Sequence, residues 1–307
     1  MKNLVKNLFK LRLEELLGIS FLIPSWIITL YANYYFYSLG QEIPKKYIDG
    51  IIRLVVSMII MGFFIWFVKK KPFWKYTWWI REVLPFIFVI AVYTNLHDTI
   101  GFVNSHDIHD YLIKIDEWIF GIEPVLYFQR FYNKYLTDFF SLFYMNYFYV
   151  AVSVVLYLLI KKDKKHLREV LLGTILMYYI GYFLYILFPA APPRLVLHDK
   201  FTRDLTGGVI THIQNKIIID MASSRGSFPS LHCGVSLLSL IYSYKYARKL
   251  FYFLILPVII LVIATIYLRH HYTVDIIAGF ILAIIVYKIT PIIDRKYKEF
   301  QKKIENL

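Results

Sequence analysis

The sequence predicts an all-α, polytopic integral membrane protein with about eight transmembrane helices. Three observations lead there. Of the 307 residues, 58% are hydrophobic and 19% aromatic, and the mean hydropathy is +0.53, too apolar for a soluble domain of this length. Uncharged runs recur at close to the ~20 residues that a helix needs to cross ~30 Å of hydrocarbon. The basic residues behind the +14 net charge alternate between heavily and lightly loaded connections along those runs.

In chain order the expected spans are residues 16–39, 48–68, 83–103, 139–160, 170–188, 230–246, 250–268 and 274–289. The second carries Asp49 and Arg53 near one end, the third His97 and Asp98, and the short sixth His232. With the N-terminus inside, most of the 35 Lys and Arg fall on the inner side. They include Lys2, Lys6, Lys10 and Arg12 before the first span and Lys69, Lys70, Lys71, Lys75 and Arg81 after the second. Further inner groups are Lys161 to Arg168 after the fourth span, Lys245 to Lys249 after the sixth, and Arg295 to Lys303 at the end. Both termini are then cytoplasmic, and the long connections 104–138 and 189–229 lie outside. Such basic runs near headgroups read as orientation signals and not as nucleic-acid contacts. The single cysteine, Cys233, excludes an intramolecular disulfide and a cysteine-based zinc site.

Three short clusters hold the chemistry, all at outer span ends. LRHHYTVD (268–275) joins the last two spans. Helix capping by Thr273, with Asp275 in a first turn, accounts for part of it. His271 and Asp275 are also four apart, a spacing that lets a carboxylate hold one imidazole nitrogen and leave the other as a nucleophile. SSRGSFPSLH (223–232) leads into the sixth span, with Pro229 read as a first-turn proline. Amides at a helix start bind phosphate, Ser230 adds a hydroxyl, Arg225 a charge and His232 a titratable ring. FPAAPPRL (188–195) stops the fifth span with three prolines and fixes where Arg194 emerges, a guanidinium suited to phosphate. A fourth outer cluster, His106, Asp107, His109 and Asp110, has no spacing that fits one helical face, and an acidic turn explains it better than a metal site.

The PSLH stretch (229–232) and His271-x3-Asp275 resemble two signatures of the phosphatidic acid phosphatase type 2 superfamily, and their order and span spacing match its six-helix core. That resemblance implies residues 1–81 with two accessory spans, a core over 82–291 and a basic cytoplasmic tail over 292–307. PAAPPR (189–194), YLRHHYTVD (267–275) and FGIEPVLY (120–127) look like the branch containing the inositol phosphorylceramide synthases. Two basic positions of the common pattern are instead Leu187 and Thr265, which leaves Arg225 and Arg269 as stand-ins in the phosphate clamp.

Catalysis by His271, His232 and Asp275 is what the resemblance implies, with Arg194, Ser230, Arg225 and Arg269 binding phosphate. His271 attacks phosphorus, Asp275 fixes its tautomer, and His232 handles the leaving-group and acceptor protons. The scheme calls for no metal or other cofactor, because arginines and a helix end supply the positive field. The implied partners are a lipid phosphate or phospholipid and a lipid alcohol or water, with the active site on the outer face of the membrane, the cell membrane if the source is prokaryotic. Transfer to an alcohol, hydrolysis of a lipid phosphate, and a non-catalytic lipid carrier are the three readings left open.

Overall fold

The computed structural model describes residues 11–40, 45–70, 74–221 and 225–305. Lys2, Lys6, Lys10 and Lys71 fall outside them, as do the side chains of His97 and Asp98. Every regular element among the described residues is helical. In order these are α1 (Leu13–Ser38), α2 (Lys45–Lys70), α3 (Trp74–Val103), α4 (His109–Phe120), α5 (Pro124–Phe128), α6 (Lys134–Met145) and α7 (Tyr147–Ile160). There follow α8 (Lys164–Leu187), α9 (Pro193–Val196), α10 (Val209–Met221), α11 (Leu231–Tyr246), α12 (Arg248–Tyr267) and α13 (Thr273–Glu305). α1, the α6–α7 pair, α8, α12 and α13 are long and apolar enough to cross a bilayer, so the chain is an integral membrane protein.

α8 and α11 form the centre, each buried along most of its length, α11 with the small side chains of Ser236, Ser239 and Ser243 inside. Val170, Ile175 and Tyr179 of α8 meet Val235 and Leu238 of α11, with Val154 of α7, Val258 of α12 and Val286 of α13 closing the core. α11 also crosses α13 at a glycine pair. A Cβ on Gly279 would lie 2.4 Å from the Ser230 carbonyl oxygen, and one on Gly234 would lie 2.7 Å from the Gly279 carbonyl oxygen. Two hydrogens in place of side chains let these backbones touch, the usual device for helix contact in lipid.

The bundle has two chemically different ends. At one, Arg168 bridges Glu14 (2.6 Å) and Asp294 (3.0 Å), Arg12 pairs with Glu82 (2.7 Å) and Lys245 with Glu169 (3.2 Å). At the other lie the connections that carry the sequence clusters.

Several elements differ from expectation. The span expected at 139–160 begins earlier, at Lys134, and carries one irregular turn where Asn146 N–H donates to Phe143 O at 3.2 Å. The connections 104–138 and 189–229 contain α4, α5, α9 and α10. α4 forms because its inner face, Leu112 and Asp116, packs against α13 while Trp118 stays exposed. α13 runs unbroken past residue 291, held to the N-terminal segment by Tyr297 and Gln301, which both donate to Leu11 O. Its first turn is capped not by Thr273 but by Asp116, whose carboxylate accepts the amides of Thr273 (2.6 Å) and Val274 (2.8 Å). An ionisable carboxylate is the stronger acceptor for these two donors.

Candidate active site

Main-chain hydrogen bonds stitch the three clusters together. Ala190 and Gly226 form a parallel bridge, with Ala190 N donating to Arg225 O (3.2 Å) and Ser227 N to Ala190 O (3.0 Å). Arg194 N donates to Arg269 O at 3.0 Å, and Ser230 N to Asp275 O at 2.9 Å. Each cluster is thus fixed to the next before any side chain is considered.

The side chains then line up. Asp275 Oδ2 takes the Ser227 hydroxyl (2.6 Å) and the Tyr272 amide (3.1 Å), and lies 3.3 Å from His271 Nδ1. His271 Nε2 is 3.3 Å from His232 Nδ1, and His232 Nε2 is 3.0 Å from the Tyr144 hydroxyl. Asp275 is an acceptor at Oδ2, so His271 carries its proton on Nδ1 and leaves the Nε2 lone pair facing His232. Burial pushes His271 well below the ordinary imidazole range, to about 3, and the Arg194 charge acts in the same direction. Its ring is therefore neutral at physiological pH, as an attacking nitrogen must be.

These groups line a cavity of about 360 Å³. Its polar end holds Arg194, Ser227, Gln214, His232, His270 and His271, and its apolar end runs between Phe86 and Ile90 of α3, Phe148 and Val152 of α7, and Tyr178 and Tyr182 of α8. His270 faces away from Asp275. Its Nδ1 is 3.1 Å from Arg194 Nη1, and its Nε2 is 2.8 Å from the Gln214 amide. Arginine only donates, so His270 carries its proton on Nε2. The Gln214 amide then meets it through Oε1, an atom otherwise buried without a partner, after a half-turn that exchanges amide O and N. Burial and the neighbouring Arg194 keep His270 neutral as well.

The other expected site residues lie elsewhere. Ser230 is the N-cap of α11, accepting from Cys233 N at 3.3 Å, and its own amide is taken by Asp275 O. Pro229 accordingly precedes the cap instead of occupying the first turn, and Ser230 does not line the cavity. Arg225 reaches away to Asp107 Oδ1 (2.7 Å) and the carbonyls of Asn104 (3.1 Å) and Ser105 (2.8 Å). Arg269 donates to the Tyr132 hydroxyl (3.0 Å) and Arg203 O and stacks 3.7 Å over the Phe201 ring. Both arginines build the connections around the cavity and are not among the residues lining it. In the His106 to Asp110 turn, Asp107 takes Arg225, and His109 lies 3.9 Å from Asp107 and 4.0 Å from Asp110.

Residues 110–289, more than half of the chain, match the PAP2 superfamily. The chain belongs to that superfamily. The matched segment carries all three clusters. The chain is similar to a PA-phosphatase related-family protein of Dictyostelium discoideum, 27% identical over 170 residues, which are 48% of this chain and 31% of that protein. The chain thus spans about a third of the length of the relative it matches. No solved structure matches it.

Tyr144, Ser227 and Gln214 were not singled out by sequence. Ser227 sits inside the 223–232 cluster without a distinguishing neighbour. Tyr144 is one of 27 tyrosines, and nothing local separates it from those in the core.

Proposed function

We propose that this protein is a membrane lipid phosphotransferase that moves a phosphate-linked headgroup from a phospholipid to a lipid alcohol, similar to the inositol phosphorylceramide synthases. One observation carries the choice. Arg194 is the one Lys or Arg among the described residues lining the cavity, and the two positions where the family pattern has further basic groups are Leu187, half exposed, and Thr265, buried and bonded to Val262 O. A dianionic phosphomonoester calls for several cations, whereas a phosphodiester carries one negative charge and needs fewer.

In the proposed reaction the His271 Nε2 lone pair attacks phosphorus and the bond to the diacylglycerol oxygen breaks, that oxygen taking the Nδ1 proton of a doubly protonated His232, which is left neutral. The headgroup phosphate is then held on His271 as a phosphoramidate. The acceptor hydroxyl next gives its proton to His232, its oxygen forms the new P–O bond, and the N–P bond breaks. Arg194 offsets charge on the phosphoryl oxygens as the transition state forms. His271 and His232 are in direct contact, so a phosphoryl group between them requires one ring to swing aside. The apolar end of the cavity suits an acyl chain.

The eight-span reading rests on α2, α3 and α11, which pack into the same bundle as the five long apolar helices. With the basic-residue pattern it puts both termini in the cytoplasm and the cavity at the outer boundary. Hydrolysis of a lipid phosphate is the second reading, favoured by the name of the Dictyostelium relative. The test is to incubate purified protein in lipid with diester donors, with and without ceramide or diacylglycerol, and to identify products by mass. A new phosphodiester lipid supports transfer. Rapid release of inorganic phosphate from phosphatidic acid or a polyprenyl phosphate, with no new diester, means hydrolysis.

A further inference from the structure

The span that supplies Tyr144 runs from Lys134 to Ile160 with a one-residue irregularity at Asn146, whose backbone stays in the helical region. Tyr144 and Tyr147, three residues apart across it, both pack their rings on His232, with centroids at 4.9 and 4.4 Å. Tyr144 is buried, and its hydroxyl meets His232 Nε2 at 3.0 Å. Its ring also lies 4.5 Å from His270, so it wedges between the two histidines that flank the nucleophile.

We infer that Tyr144 is a positioning residue that sets the proton position of His232, making it present an N–H at Nδ1 toward the reacting phosphorus. Hydrogen-bond direction supports this. His271 Nε2 has only a lone pair to offer, so the 3.3 Å contact is made only if His232 carries its proton on Nδ1. His232 Nε2 is then an acceptor, and Tyr144 is the hydroxyl that fills it. A phenol can also turn and accept, so the same contact survives when His232 carries protons on both nitrogens, and again when the Nδ1 proton has gone to the leaving oxygen and the ring keeps Nε2–H while Nδ1 takes the acceptor alcohol's proton. A carboxylate in that place would hold Nε2–H in every state and point the lone pair at the leaving oxygen. The inference rests on the transfer reading only for the identity of the leaving group.

The test has two arms on Tyr144→Phe, which keeps the ring and removes the donor. In the first, turnover is compared for a short-chain lipid donor, whose alkoxide must be protonated on leaving, and for its nitrophenyl ester, whose phenolate need not be. Losing the bond lowers the lipid-to-nitrophenyl rate ratio by about tenfold, with KM little changed. An equal loss with both donors makes Tyr144 a packing residue and overturns the inference. In the second arm, 15N-histidine NMR of the full chain in lipid, assigned by the signal lost in His232→Gln, reads the tautomer without any turnover. The native ring is expected as the Nδ1–H tautomer and the Tyr144→Phe ring as a mixture. An Nε2–H native ring, or an unchanged tautomer in the variant, overturns the inference. If neither donor turns over, the functional proposal fails, and the tautomer arm still decides the role of Tyr144.

Discussion

His270 and His271 are adjacent in sequence and opposite in surroundings: one is held between Arg194 and Gln214, the other between Asp275 and His232. His271→Ala is expected to abolish turnover, a loss of at least a thousandfold for a missing nucleophile. His270→Ala is expected to leave a measurable fraction, because it removes a support of Arg194 and not the attacking nitrogen. Equal losses in the two variants, measured as initial rates on the same donor, would mean that the nucleophile is misassigned. The pairing of His271 with Asp275 was legible in the sequence because an i to i+4 spacing is a local property. Tyr144, Ser227 and Gln214 were not, because each reaches its partner across dozens of residues and only the packed bundle decides the meeting. Ser230 and Arg225 show the converse: a helix start and an arginine near the site also serve capping and loop anchoring, which is where the structure has them.

At the scale of elements, α13 is positioned by what caps it. Asp116 is buried under its first turn, and burial lifts this carboxyl to about 6. Glu123, whose two oxygens are buried without a hydrogen bond, is lifted to about 8 by burial and by the nearby Asp116. In both cases the folded state holds a proton that the unfolded chain gives up near pH 4. Their contribution to stability is therefore complete below that pH and is lost as pH rises through about 6 and then about 8. The melting temperature in detergent is expected to fall between pH 6 and 9, and Glu123→Gln is expected to flatten the upper part of that fall. A flat native profile would show that the two carboxyls are not held protonated.

The crossing of α11 and α13 gives a second test at this scale. Gly279→Ala puts a methyl against the Ser230 carbonyl, with a cost of about 1–3 kcal/mol and a shift of His232 relative to His271. Activity should fall more than stability accounts for, and full activity in Gly279→Ala would show that the close approach is dispensable. The five long apolar helices were legible here from their apolar runs. The irregular turn at Asn146 was not, since Met145 and Asn146 carry neither proline nor glycine, and neither was the continuation of α13 past residue 291, where charge alone suggested a tail.

For the whole molecule, orientation and chemistry can be tested separately. Cys233 is buried, so the native thiol gives little background for labelling. A Lys200→Cys variant should react with an impermeant maleimide on intact cells and a Lys162→Cys variant only after permeabilisation, and the reverse pattern would invert the proposed topology. The most direct measurement of the central claim is the mass and position of the covalent intermediate. The protein is mixed with a diester phospholipid, quenched in alkali that spares phosphoramidates, digested, and the peptide containing His271 is weighed and fragmented. The expected result is an adduct on His271 with the mass of the headgroup plus its phosphate, lost when the acceptor alcohol is added and absent in His271→Ala. An adduct on His232 or His270, or none under conditions of steady turnover, would contradict it.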